Sequence, residues 1–152
     1  MTPATLLATS DPADSHVIDT RFGSFTGSPR DVVTLVDGLP GFESCRRFLL
    51  LSSPPIAPLM CLQGLDEDKP AFLAVDPRVV DPGYSTRLDD LQRRRLGASE
   101  ETPLLWLAIV HVADGTGSTV NLRAPLVVNP EKMRGLQLLA GHDEYDTNHR
   151  LG

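Results

Sequence analysis

The apolar runs of this chain are short, and nearly every one stops at a proline or a glycine. Val32–Val36 ends at Asp37-Gly38, Arg47–Ser52 at Pro54-Pro55, Ala71–Val75 at Pro77, and Leu104–Val112 at the glycines of Asp114-Gly115-Thr116-Gly117. A helix that carries a core needs apolar positions at helical spacing over ten or more residues, whereas a strand needs only four to eight. Runs of this length with β-branched and aromatic content, separated by turn residues, describe a chain of many short strands. The 13 prolines and 12 glycines are spread along the sequence rather than pooled in one linker. That spacing favours an antiparallel barrel or sandwich over a layered α/β fold.

Eight runs read as strands. Val17–Phe22, Val32–Val36, Arg47–Ser52 and Leu59–Gln63 come first, then Ala71–Val75, Leu104–Val112, the segment Thr119–Asn129 and Leu136–Leu139. Leu59–Gln63 and Ala71–Val75 flank the acidic loop Gly64–Pro70 and are expected to pair as a hairpin. Leu39-Pro40-Gly41 suits a type II turn, with proline presetting φ and glycine taking the positive φ that follows. Gly115-Thr116-Gly117 resembles a fragment of a phosphate loop, but it leads into a strand, so no helix N-terminus stands ready for a phosphate. It reads as a hairpin turn.

One helix is expected, capped by Thr86 and ended by Gly97, with Leu88, Leu91 and Leu96 on its buried face. Asp89–Arg93 and Asp90–Arg94 have the spacing for ion pairs worth about 0.2–0.5 kcal/mol each. With those partners, Arg93-Arg94-Arg95 is a solvated helix face. Trp106 lies inside the longest strand and is expected in the core.

A chain of 152 residues is one domain's worth, and a domain of that size buries about 68–70% of its unfolded surface. Residues 1–15, rich in Thr, Ser, Pro and Asp, read as a disordered leader, leaving 16–152 as a single domain. No 18-residue apolar run is present and the N-terminus lacks a basic, then apolar, signal sequence, so a cytoplasmic location is expected. There Cys45 and Cys61 stay reduced and at least partly buried. The formal charge of −6 opposes direct binding to nucleic acid, which relies on Lys and Arg to neutralise phosphates. It suits a basic partner.

No arrangement of residues points to catalysis. The histidines His16, His111, His142 and His149 fit neither a helical zinc pattern nor zinc-ligand spacing with a cysteine. His142 with Asp143-Glu144 reads as a flexible C-terminal loop, and no Gly-x-Ser-x-Gly elbow is present. Neither cofactor nor metal is expected.

The segment Thr119-Val120-Asn121-Leu122-Arg123-Ala124-Pro125-Leu126-Val127-Val128-Asn129 is the most distinctive in the chain. Alternation makes it a strand that bends at Ala124-Pro125, since Pro125 cannot donate to a ladder. As a run of residues it resembles the signature of the flagellar assembly factor FliW family. Asp37-Gly38-Leu39-Pro40-Gly41-Phe42-Glu43, followed by Phe48, resembles the family's Gly-Leu-Pro-Gly-Phe-Glu turn. Leu62-Gln63, the strand Ala71–Asp76 closed by Pro77, Tyr84, Gly135, Gln137 and the tail Tyr145…His149-Arg150-Leu151 continue the match in order. It spans roughly residues 17–151 and departs at 26–31 and at Leu139-Ala140-Gly141-His142.

The resemblance implies a compact, mostly β, barrel-like fold with one small helical element. It also implies a non-enzymatic protein that binds two others, the translational regulator CsrA and flagellin. Occupying CsrA relieves its repression of flagellin translation, and new flagellin then competes for the factor. The motif positions with polar side chains, Glu43, Asp76, Tyr84, Asn121, Arg123 and Asn129, are its candidate contacts. Asp66 and Asp68 join them on charge alone. Each has a structural rival: Asn121 and Asn129 can satisfy backbone groups at strand ends, and Asp76 before Pro77 can start a turn. On architecture alone a flavin-binding barrel enzyme or a single-stranded nucleic-acid barrel remains open.

Overall fold

The computed structural model describes residues 15–66, 69–113 and 117–151. Among the described residues there are eleven strands: β1 (His16–Thr20), β2 (Gly23–Gly27), β3 (Val32–Leu35), β4 (Arg47–Ser52), β5 (Met60–Gly64), β6 (Ala71–Val75), β7 (Leu105–Ala113), β8 (Gly117–Val120), β9 (Leu126–Asn129), β10 (Arg134–Gln137) and β11 (His149–Arg150). Two helical segments, α1 (Pro77–Val80) and α2 (Asp90–Leu96), lie between β6 and β7. The leader expected over residues 1–15 falls, except for Ser15, outside the described residues.

The strands β7, β6, β5, β4, β3, β10 and β9 form a ring, closed by pairing of β9 with β7. This is a seven-stranded barrel, as the mostly β expectation requires. One joint departs from the antiparallel rule: β10 runs parallel to β3, with Arg134 beside Thr34 and Gly135 beside Leu35. Strands β8 and β11 extend the sheet from the far half of β7, and β1 with β2 forms a separate hairpin packed on β4.

The barrel strands bury both faces. Phe48 and Leu50 of β4, Leu62 of β5, Leu105 and Leu107 of β7, and Leu126 and Val128 of β9 form one packed layer with Leu39 and Cys45. Because only barrel strands and the 39–45 turn supply it, this layer fills the barrel. The alternate residues Leu49, Leu51, Cys61, Trp106, Ala108 and Val127 pack outward against Phe25 of β2, Leu96 of α2, Tyr84 and Leu138. Two-sided burial explains why these strands read as continuous apolar runs instead of alternating ones. Trp106 is buried as expected, and both cysteines are free and buried.

Strands β4 and β6 fall on the expected residues, and β5 pairs β6 as the expected hairpin. Strand β2 and the two-residue β11 were not expected, and β10 begins two residues before the anticipated Leu136. Pairing of β7 with β8 runs to Ala113 opposite Gly117, as a hairpin would, although residues 114–116 lie outside the description.

The helix differs from expectation in its start. Asp89, not Thr86, caps α2: its carboxylate accepts from the Gln92 N–H while the Gln92 side chain accepts from the Asp89 N–H. This reciprocal pair satisfies two orphan donors at once. Leu91 is then five residues from Leu96, about 140° around the axis, and it is exposed while Leu96 is fully buried. The arginines do not pair along the helix. Arg93 donates to the Ser99 carbonyl and Arg95 grips both oxygens of Asp37. Gly97 ends the helix in the left-handed conformation at φ 67°.

Candidate partner-binding face

Two features of the fold meet at one mouth of the barrel. The first is the turn between β3 and β4. Phe42 N–H donates to the Leu39 carbonyl at 2.8 Å, and Gly41 takes φ 85° after Pro40, which is the expected type II geometry. Gly38 is also left-handed, and a Cβ there would stand 3.0 Å from the Glu43 Cα. Leu39 points into the barrel core while Phe42 stays 37% exposed, its ring edge-on to Phe72 at 5.3 Å. The Glu43 carboxylate accepts from Gly41 N–H at 3.1 Å and projects at the surface.

The second is the Thr119–Asn129 segment. Val120 stands opposite Val110 and Leu126 opposite Leu107, so Asn121–Pro125, five residues, face only Ala108 and Ile109, two residues of β7. The segment is therefore one strand interrupted by a wide bulge, not a strand with a single kink at Ala124-Pro125. Asn121 holds the bulge: its Oδ1 accepts from the N–H groups of both Arg123 and Ala124 at 3.1 Å. The Gln137 side chain donates to the Ala124 carbonyl, and Leu138 N–H donates to that of Pro125.

Beyond the pair Leu73–Val110, β6 and β7 stop pairing. Phe72 and His111, the next residues in register, line a groove there. Leu39, Pro40, Phe42, Ile109, Asn121, Ala124, Gln137, Leu139, Thr147 and Asn148 complete it, around a volume of about 410 Å³. None of these twelve residues is Asp, Glu, Lys or Arg. A second hollow shares Phe42 and Phe72 and continues past Arg21, whose guanidinium donates to the Ala71 carbonyl at 2.7 Å.

The tail closes the face. Arg123 donates to the carbonyls of Tyr145, at 2.8 Å, and Asp143, at 3.0 Å, while Leu122 N–H donates to that of Asp146. Arg87 donates to the Gly141 carbonyl and pairs with Glu144. The expected flexible loop around His142 is in fact an anchor: His142 is 1% exposed, stacks on Tyr84 and meets the Ser85 carbonyl through Nε2 at 2.9 Å. Its Nδ1 is buried without a partner. Burial pushes its pKa down, only partly offset by the Ser85 hydrogen bond. Among the described residues no group of three His, Cys, Asp or Glu is arranged to hold a metal.

The eight candidate contacts divide by position. Tyr84 and Asn129 are buried, which runs against the expectation that their side chains face a partner. Tyr84 donates its hydroxyl to the Leu122 carbonyl at 2.6 Å within a cluster of Trp106, His142 and Tyr145. Asn129 is fully buried and fastens α2 to the barrel, its amide donating to the carbonyls of Leu96 and Gly97 while its oxygen accepts from Glu131 N–H. Asn121 is half-buried and occupied by its bulge. Arg123 is exposed, with its guanidinium on the tail.

Asp66 accepts from the N–H groups of Arg46 and Arg47 and pairs with the Arg47 guanidinium, which together hold its pKa at about 2. Asp76 caps α1 and pairs with Arg78. Glu43 reaches the face with the Gly41 N–H, not a cation, against its carboxylate. Asp68 lies outside the described residues. Phe42 and Tyr145 stand in runs that resemble the family but were not singled out as contacts, and nothing in the sequence marks the exposure of Leu139 or the burial of His142.

The sequence model described as FliW protein matches residues 16–151, almost the whole chain. The chain belongs to the FliW family. A flagellar assembly factor FliW of Thermosipho africanus is 30% identical over 135 residues, covering 88% of this chain and 93% of its own. That of Treponema pallidum is 34% identical over 130 residues, covering 85% and 86%. A crystal structure of the flagellar assembly factor FliW superposes with a TM-score of 0.76 at 31% identity, over 89% of this chain and 96% of that one. The matched region contains the 38–43 turn, the bulge and the tail, so the groove is built entirely from FliW-family segments.

Proposed function

We propose that this protein is a partner-switching regulator of flagellum assembly in the cytoplasm, which binds and antagonises CsrA and is released from it by flagellin. Membership of the FliW family across residues 16–151 carries this reading, and the formal charge of −6 supports it. CsrA holds RNA and so must present cations. An acidic protein meeting that surface gains chiefly in association rate and specificity. Linkage then demands that RNA weaken this protein's hold on CsrA by the factor with which this protein weakens RNA binding.

The proposed contacts have different tasks in this reading. Glu43 is the best placed for a direct charge contact, being exposed with the Gly41 N–H, not a cation, against its carboxylate. Asp66 and Asp76 contribute through a field that Arg47 and Arg78 partly cancel, and Asp68 adds charge to the same loop. Arg123, Asn121, Tyr84 and Asn129 act by holding the bulge, the tail and α2 in place. The test is size-exclusion chromatography of purified protein with CsrA, followed by titration of the complex with leader RNA from the flagellin message and with flagellin. Co-elution, reciprocal weakening by RNA and release by flagellin are the expected results, and no complex at moderate salt overturns the reading. Colourless protein and no retention of single-stranded RNA on a filter dispose of the flavin and nucleic-acid barrels.

A further inference from the structure

The tail between β10 and β11 is a strap fastened at both ends. Leu138 is buried and donates its N–H to the Pro125 carbonyl at one end, and β11 pairs with β8 at the other. Residues 139–148 belong to no strand, and side chains from two other segments grip them. Arg87 holds the Gly141 carbonyl and Glu144, while Arg123 holds the carbonyls of Asp143 and Tyr145. Of residues 139–148 only His142 is buried.

The hydrogen bonding of His142 leaves no room for a second proton. A carbonyl only accepts, so the contact of Nε2 with the Ser85 carbonyl puts the ring proton on Nε2. In the neutral ring Nδ1 is then a bare acceptor, buried with no partner among the described residues. Tyr84 stacks on the ring with centroids 5.5 Å apart, and Trp106 lies at 5.8 Å. Protonation would place a cation between these aromatic rings, with a new N–H that finds no acceptor, and both are costly. The charged groups around it do not supply one. Glu144 is committed to Arg87, Asp143 is exposed, and Asp89, across the adjoining hollow, caps α2. Arg87 and Arg123 are themselves cations, and the hydroxyls of Tyr84 and Tyr145 are bonded to the Leu122 carbonyl and the Ser85 N–H. Burial lowers the pKa of the ring more than Asp143, Glu144 and the Ser85 bond raise it.

We propose that His142 is an acid-released latch: on taking a second proton its ring leaves the Tyr84–Trp106 pocket, and residues 139–148 lift from the barrel. Gly141 supplies the hinge, with φ 103° and open space where a Cβ would stand. The strap contributes Leu139, Thr147 and Asn148 to the lining of the groove, so its release reshapes that face, whichever protein binds there. Out of its pocket the ring has the ordinary pKa of about 6.5. Proton uptake then multiplies the ratio of open to closed strap by about 1.1 at about pH 7.5 and by about 11 at about pH 5.5, a rise of about 10-fold.

Amide hydrogen exchange of the full chain, followed by NMR and corrected for the intrinsic pH dependence of exchange, tests the latch. The N–H groups of Ser85, Leu122 and Tyr145 are bonded to the Tyr145 hydroxyl, the Asp146 carbonyl and the His142 carbonyl, so each is freed when the strap lifts. In the wild type their protection falls about 10-fold from about pH 7.5 to about pH 5.5, while the amides of β5 and β6 keep theirs. His142→Gln retains a donor for Ser85 and His142→Phe retains the stack, and neither takes a proton. In both variants the three amides lose their pH dependence, which also separates His142 from His111 and His149, the other histidines beside the strap. Titration of the wild-type ring needs no variant, and His142 stays neutral to below about pH 6.5. Protection of the three amides that ignores pH, or a pH dependence kept by the variants, overturns the latch. So does a ring that titrates at or above about pH 6.5 with the strap in place. An equal loss of protection across β5 and β6 makes the event global unfolding and overturns it too.

Discussion

Replacing Asn129 with alanine separates a structural role from an interface role at the most deeply placed motif position. The side chain is fully buried and makes a 2.8 Å bond to the Leu96 carbonyl, a weaker 3.3 Å bond to that of Gly97 and a 3.0 Å bond from Glu131 N–H. Leu96 and Gly97 are the last carbonyls of α2, which have no partner inside the helix. A typical internal hydrogen bond contributes about 0.5–1.5 kcal/mol net, and a buried group left without its partner costs about 1–3 kcal/mol. Two good bonds lost, with one carbonyl stranded, give a destabilisation of about 2–4 kcal/mol. For a domain of this size each kcal/mol lowers Tm by about 2–4 °C. Urea unfolding followed through Trp106, the only tryptophan, and by far-UV circular dichroism measures the change. Below the transition, CsrA affinity of the folded variant stays at the wild-type value. A variant with unaltered stability and lost CsrA binding refutes the structural assignment and returns Asn129 to the interface.

Other expectations follow from the same contacts. Tyr84→Phe strands the Leu122 carbonyl and destabilises by about 1–3 kcal/mol in the same urea assay; because burial raises the pKa of Tyr84, alkaline difference spectra of the folded wild type show one of its two tyrosines resisting ionisation. The depressed pKa of His142 means that below the unfolded value of about 6.5 the unfolded chain takes a proton that the folded one resists. Stability is therefore whole above that pH and falls as pH drops towards the folded value, and His142→Asn flattens the slope of urea midpoint against pH. Asp66 titrates at about 2 when folded against about 3.9 unfolded. Its contribution is complete above the unfolded value and is lost as pH falls from about 4 to about 2, which NMR titration of its carboxyl carbon follows directly.

Much of the barrel was legible because its strands are locally marked. Arg47–Ser52 and Ala71–Val75 are apolar runs with prolines close behind, and both match their strands residue for residue. Gly23–Gly27 carries no such mark: Gly-Ser-Phe-Thr-Gly becomes a strand only because β1 folds back on it through five paired residues. The helix start went to Asp89 because Gln92 can return its hydrogen bond. The site was less legible than the fold. Asn121 and Asn129 are polar residues in a distinctive run and Tyr84 follows the strand closed by Pro77, and the sequence alone does not show whether such groups face a partner or a backbone group. The partner of Asn129 lies 33 residues away and that of Tyr84 lies 38. His142 was missed for the same reason, since its burial depends on Tyr84, Ser85 and Trp106 arriving from elsewhere in the chain.

We propose that one acidic barrel holds CsrA until flagellin displaces it. Surface plasmon resonance with immobilised CsrA tests it most directly, with wild-type protein bound first and flagellin then passed over the surface at rising concentration. Accelerated loss of the bound protein as flagellin rises is the expected result. A stable ternary complex, with flagellin adding mass to the surface instead of stripping it, contradicts it.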